Sequence, residues 1–232
     1  MGNSSKSVLS DLVAIKNDKQ SALLSRFFKT GKGQYGYGDL FLGIKVPSQR
    51  LIAKKYKTLS LSEIQKLLDN KFHEARLTAL FILIIQYLKA DKKQQKIIYD
   101  FYCKNINRIN NWDLVDLSAP NIMGNYLLTH SHRPLYNLSK SKNLWHRRIA
   151  ILSTFTFIKN KDFTDALKLA KYLLKDDQDL IHKAVGWMLR EIGKRDVSVL
   201  LDFLKKHHSL MPRTMYRYSI EKLDKSQLAL IQ

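Results

Sequence analysis

The sequence predicts an all-α protein: antiparallel helix pairs stacked as a repeat array, with one layer of helices lining a basic concave groove. Three observations predict it. Apolar residues recur at spacings of three and four, the period of a helix with one buried face. Only four prolines and nine glycines interrupt the 232 residues, and no segment alternates convincingly as a strand. A weak internal repeat places similar helix starts at Phe72-His73-Glu74-Ala75, Trp112-Asp113-Leu114-Val115, Trp145-His146-Arg147-Arg148 and Ile181-His182-Lys183-Ala184. Their separations, roughly 33 to 40 residues, match one helical hairpin repeat. An irregular helical bundle is the alternative architecture.

In chain order, helices are expected over 7–15, 21–29, 47–58, 62–69, 72–89, 93–103, 112–117, 121–128, 144–158, 163–174, 180–193, 197–207 and 212–223. Ser60 or Ser62 and Asp179 suit N-caps, and Pro47 and Pro212 suit first turns, where a missing N–H costs nothing. Residues 1–232 are read as a single domain. Apolar residues make up 45% of the chain, enough for a sizeable core.

Charge narrows the partner. Lys and Arg number 40 against 20 Asp and Glu, a net charge of +20. That excess repels itself, and a polyanion relieves the repulsion. Nucleic acid is the leading partner; an anionic membrane surface and plain solvation are the others. Cys103 is the only cysteine, so an intramolecular disulfide and a multi-cysteine zinc site are excluded. Residues 1–7 carry no apolar signal region. Lys6 occupies the place where acylation at Gly2 would need Ser or Thr. The apolar run from Leu77 to Ile85 is too short to span a bilayer. The expectation is a cytoplasmic monomer with no membrane partner.

Some strings mimic known sites. Gly31-Lys32-Gly33-Gln34-Tyr35-Gly36 spells G-x-G-x-x-G, but a dinucleotide site needs a strand before it, and none is expected. The segment 30–38 reads as an inter-helix loop from which Lys32, Tyr35 and Tyr37 could touch DNA. His73-Glu74 starts like a zinc-protease helix, but Leu77 stands where the second histidine belongs; His130 and His132 lack a third ligand. These are read as surface histidines, with no metal and no cofactor.

Other residues are harder to assign to the core. Trp187 falls off the stripe formed by Ile181, Ala184, Val185, Met188, Leu189 and Ile192, among Lys183, Arg190 and Lys194. It either lies over lysine stems or forms an aromatic plate on a phosphate-binding face. Trp112 and Asp116, at i and i+4, share a helical face; Asp116 is either an ordinary ion-pair partner or a carboxylate fixed beside an indole. Arg148, among Leu144, Ile151, Leu152 and Phe155, needs an anion, either Asp116 or a DNA phosphate.

These strings resemble the AlkD-type DNA alkylation-repair glycosylases. The likeness covers most of the chain. It is strongest in Asn111-Trp112-Asp113-Leu114-Val115-Asp116, in the helix from Trp145 to Leu152, in His182 to Glu191, and in Phe41-Leu42-Gly43-Ile44-Lys45-Val46-Pro47. The resemblance implies a HEAT-like solenoid that excises cationic purines, such as 7-methylguanine and 3-methyladenine, from duplex DNA without base flipping. It implies Asp116 as the catalytic carboxylate with Trp112 and Trp187 cradling the deoxyribose. Arg148 and Arg190 then contact DNA near the lesion, and Lys183, Lys194, Arg213 and Arg217 extend the DNA-binding set. Bound to DNA, such a protein is associated with the bacterial nucleoid. Asn111 and Phe27 stand where the family often has Trp and Tyr. The alternative is a non-catalytic relative that binds damaged or branched DNA. A protein-binding helical adaptor fits the fold and leaves the charge unexplained.

Overall fold

The computed structural model describes residues 3–231. Met1, Gln232 and Gly2, the residue that an acylation signal would modify, lie outside the described residues. The described residues are helical, and their only strand-like contact is an isolated parallel bridge between Leu40 and Phe72. The chain divides into two compact units, Met1–Leu114 and Val115–Gln232.

The first unit contains α1 (Ser5–Ala14), α2 (Asp18–Phe27), α3 (Val46–Lys55), α4 (Leu61–Leu68), α5 (His73–Lys89), α6 (Lys92–Lys104) and the start of α7 (Trp112–Ala119). Side-chain oxygens of Ser4, Asn17, Ser60 and Asp91 accept the first free N–H groups of α1, α2, α4 and α6. The cap of α4 is thus Ser60, not Ser62. Helix α5 is buried on nearly every side between His73 and Ile84 and packs against α3 and α4. A helix apolar all round belongs in a core.

The Phe41–Pro47 motif has a specific anchor. Glu74, buried at the start of α5, accepts from the backbone N–H groups of Leu42 (2.9 Å), Gly43 (2.8 Å) and Ile44 (3.2 Å). Gly43 has φ +82°, and a Cβ there would lie 2.0 Å from the Asn17 carbonyl oxygen. Only glycine lets the loop turn its amides onto that carboxylate.

The second unit continues α7 through a π-helical turn, Pro120–Gly124, into α8 (Asn125–Leu127). There follow α9 (Arg133–Ser139), α10 (Leu144–Lys159), α11 (Thr164–Tyr172), α12 (Asp179–Gly193), α13 (Val197–His207), α14 (Arg213–Ile220) and α15 (Lys225–Ala229). Helix α10 packs on α9, α11 and α12, and α12 packs on α13 and α14.

Several expectations change. The helix expected over 121–128 begins with the π turn: Pro120 cannot donate a backbone hydrogen bond, and the ladder widens there. Thr156 Oγ1 donates to the Pro120 carbonyl at 2.7 Å. Asp179 is the first helical residue of α12, after Gln178 at the cap, and Pro212 is the cap of α14 rather than a first-turn residue. Helices α9 and α15 add to the expected set; both are too short to show a period. Of the expected surface histidines only His130 is exposed; His132 is half-buried and His73 is 1% exposed. The four repeated strings do mark helix starts: Phe72 caps α5, and Trp112, Trp145 and Ile181 lie in the first turns of α7, α10 and α12.

Candidate active site

Asp116 sits on α7 with its side chain partly exposed. Arg148 reaches it from the middle of α10, donating from Nε to Oδ1 and from Nη2 to Oδ2, both at 2.8 Å. Nη1 donates to the Leu180 carbonyl at the start of α12. The guanidinium therefore ties α7, α10 and α12 together from a position only 5% exposed. Of the anions considered for Arg148, the folded chain supplies Asp116. The fork matches both carboxylate oxygens, which fixes the orientation of the acid as well as its distance.

Trp187, on α12, is half-buried, its ring centroid 5.8 Å from that of Phe155 at 44°. Phe155 also carries Lys159 at 4.4 Å and Arg195 at 6.0 Å from its centroid. This aromatic and cationic group was not singled out in the sequence, where Phe155 reads as core. The cations expected around Trp187 each meet an acid: Lys183 pairs with Asp179 (2.8 Å), Lys194 with Glu191 (2.6 Å) and Arg190 with Glu221. Arg213 and Arg217 are exposed one turn apart on α14, with no ion pair among the described residues.

Trp112 opens α7, and its ring stacks on Phe28 at 4.9 Å and 14°. Phe27, 64% exposed, meets the indole edge-on at 5.8 Å. Phe28 stacks on Phe41 (5.0 Å, 22°), and Phe41 on the imidazole of His73 (4.6 Å, 24°). His73 donates from Nδ1 to Asp39 at 3.1 Å and from Nε2 to Asp113 at 2.7 Å. Asp39 also accepts from Arg76 (2.6 Å) and from the Asn111 amide (3.0 Å).

Burial alone would push the His73 pKa down, but the Asp113 and Asp39 carboxylates outweigh it and raise it to about 9. Burial pushes Asp39 up, yet the hydrogen bond from His73, the charge of Arg76 and the Asn111 amide leave it below its usual value. Sequence reasoning missed this network. The only signal was that His73, Asn111 and Asp113 sit in or beside the repeated helix starts; Asp39 and Phe28 lie far from them.

The segment 30–38 is a chain of turns, without a strand before it. Gly31 N–H donates to Gln34 Oε1 at 3.0 Å, and Tyr37 is 65% exposed. Among the described residues, no group of three His, Cys, Asp or Glu side chains could hold a metal ion, and no helix is long and apolar enough to cross a membrane.

Comparison with known proteins bears on this arrangement. No curated protein matches the sequence. The fold is similar to that of a predicted DNA alkylation repair enzyme from Enterococcus faecalis, at TM-score 0.70 and 18% identity, covering 90% of this chain and 97% of that one. It is also similar to AlkD2 from Streptococcus mutans, at TM-score 0.57 and 18% identity, covering 89% and 98%. The model of the DNA alkylation repair enzyme family matches residues 8–223. The chain belongs to that family.

Proposed function

We propose that the protein is a DNA glycosylase that hydrolyses the N-glycosidic bond of cationic alkylpurines, 7-methylguanine and 3-methyladenine, in duplex DNA without flipping the base. The observation that carries this reading is Asp116, a partly exposed carboxylate oriented by Arg148 one helical turn after Trp112, in a DNA-repair family chain of net charge +20. An alkylated purine already carries positive charge, so it departs without a general acid. The barrier lies in the oxocarbenium-like sugar and in the water that traps it. A carboxylate opposes that charge and orients the water. An indole face, such as that of Trp112 or of Trp187, attracts cationic character through its quadrupole. The reaction as written needs no cofactor, and no base enters a pocket.

Arg213 and Arg217 are the readiest phosphate contacts, while Lys183, Arg190 and Lys194 must exchange an acid for a phosphate. Arg148 serves the site through Asp116. We propose further that residues 1–232 act as one DNA-binding domain, as a monomer on the nucleoid in the cytoplasm.

One observation favours a second reading. Both oxygens of Asp116 are engaged by Arg148, as in a purely structural ion pair. The protein would then be a non-catalytic binder of damaged or branched DNA. Incubating excess protein with methylated duplex and measuring released base separates the two. The glycosylase reading expects 7-methylguanine to be released and Trp187→Ala to weaken both release and lesion affinity. Tight binding of branched or damaged DNA with no release would select the second reading.

A further inference from the structure

The His73 network lies outside the proposed chemistry, yet it converges on Trp112, one of the residues assigned to that chemistry. The residues on either side of Trp112 are both tied to it. Asn111 Oδ1 accepts from the Trp112 backbone N–H at 2.8 Å, while its amide donates to Asp39 at 3.0 Å. Asp113 accepts from the Leu114 N–H through Oδ1 at 2.8 Å and from His73 through Oδ2 at 2.7 Å. Beneath the indole, Phe28 rests within stacking distance of both Trp112 (4.9 Å) and His73 (5.1 Å). The first turn of α7 is thus held through its backbone and side chains, and the ring at its head through a stack, by groups that all touch His73 or its partner Asp39.

We propose that His73 is a positioning residue for Trp112, setting the seat of the indole through Asp113, Asp39 and the Phe28–Phe41 stack. A buried ring that donates to two carboxylates must carry both protons. Losing one leaves an acceptor facing an acceptor, at Asp39 or at Asp113, and that pair moves apart. The charged groups facing the ring are Asp39 from the loop before α3 and Asp113 from α7. Arg76, on the same helix, acts through Asp39, and Glu74 is turned away onto the 42–44 amides. Deprotonation therefore falls on the two attachments of the α7 start. The proposal deepens the glycosylase reading, and rests on it only for the consequence in catalysis.

The test is a pH titration of the indole N–H resonances of the full protein labelled with 15N-tryptophan, with Trp112 assigned from Trp112→Phe. The Trp112 resonance should move with a midpoint near pH 9, the value to which His73 is raised, while Trp145 and Trp187 stay in place. His73→Gln should abolish that titration and shift the Trp112 signal at neutral pH; Asp113→Asn should lower the midpoint. A Trp112 resonance that is flat from pH 7 to 10 overturns the proposal. So does joint movement of all three indoles, which would mark a role in global stability. The wild-type titration decides even where a variant fails to fold. If the wild type releases base, His73→Gln should slow single-turnover release by about tenfold with little change in affinity for undamaged DNA. If it releases none, the glycosylase reading fails while the titration still judges the positioning role.

Discussion

Buried charge at single residues sets the strongest local expectations. Arg148 is buried and its partner Asp116 partly exposed, and removing one member leaves the other unpaired. Arg148→Met should cost about 1–3 kcal/mol, less than a fully buried pair because water reaches Asp116, read as a fall in denaturation midpoint. Arg148→Met combined with Asp116→Leu should lose clearly less than the two single changes added together. Additive losses would mean the pair is not coupled as its geometry demands. His73 gives a prediction in pH. Its folded pKa of about 9 lies above its ordinary value of 6.5, so its stabilisation is complete below about 6.5 and disappears as pH rises through 9. The loss should be roughly 3 kcal/mol and absent in His73→Gln. Asp39 works in the opposite direction: its contribution is complete above its ordinary value and is lost as pH falls through its depressed one.

Elements differ in how far they could be read beforehand. Helix α12 keeps a clean apolar stripe and a polar face, so its place and its outward Trp187 were legible. Helix α5 was legible as a helix, but not the work of its first residues. Nothing in the order of letters says that Glu74 receives the amides of Leu42, Gly43 and Ile44, because those bonds join residues some 30 positions apart. Asp116 and Arg148 were legible as candidates, and Arg148 as a residue needing an anion. The His73 network was not, because a histidine in a basic chain defaults to the surface unless its carboxylate partners are known. The π turn was hidden for a similar reason: Pro120 marks a disturbance, but only Thr156 explains its accommodation. Gly124 in that turn gives a test of the element. A Cβ there would lie 2.4 Å from the Ser153 carbonyl oxygen of α10. Gly124→Ala should therefore destabilise the protein despite alanine's higher helix propensity, by about 1–3 kcal/mol in denaturant unfolding. A stabilised variant would show that the close approach of the two helices is slack.

Across the whole molecule, the net charge of +20 makes affinity for DNA a steep function of salt. Each lost phosphate contact should flatten the slope by roughly 0.9 on duplex DNA. Arg213→Ala and Arg217→Ala, which remove cations without ion-pair partners among the described residues, should flatten it more than Lys183→Ala or Lys194→Ala, whose cations are already paired. Binding indifferent to salt would favour the protein-adaptor reading. The central claim is that this charged fold delivers alkylated duplex to Asp116. Its most direct test is single-turnover release of 7-methylguanine from one defined methylated duplex by the wild type and by Asp116→Asn. The account predicts release by the wild type, with the variant binding the duplex comparably and releasing base roughly tenfold or more slowly, since about 1.4 kcal/mol of lost transition-state stabilisation suffices. Equal rates from the two proteins would contradict it.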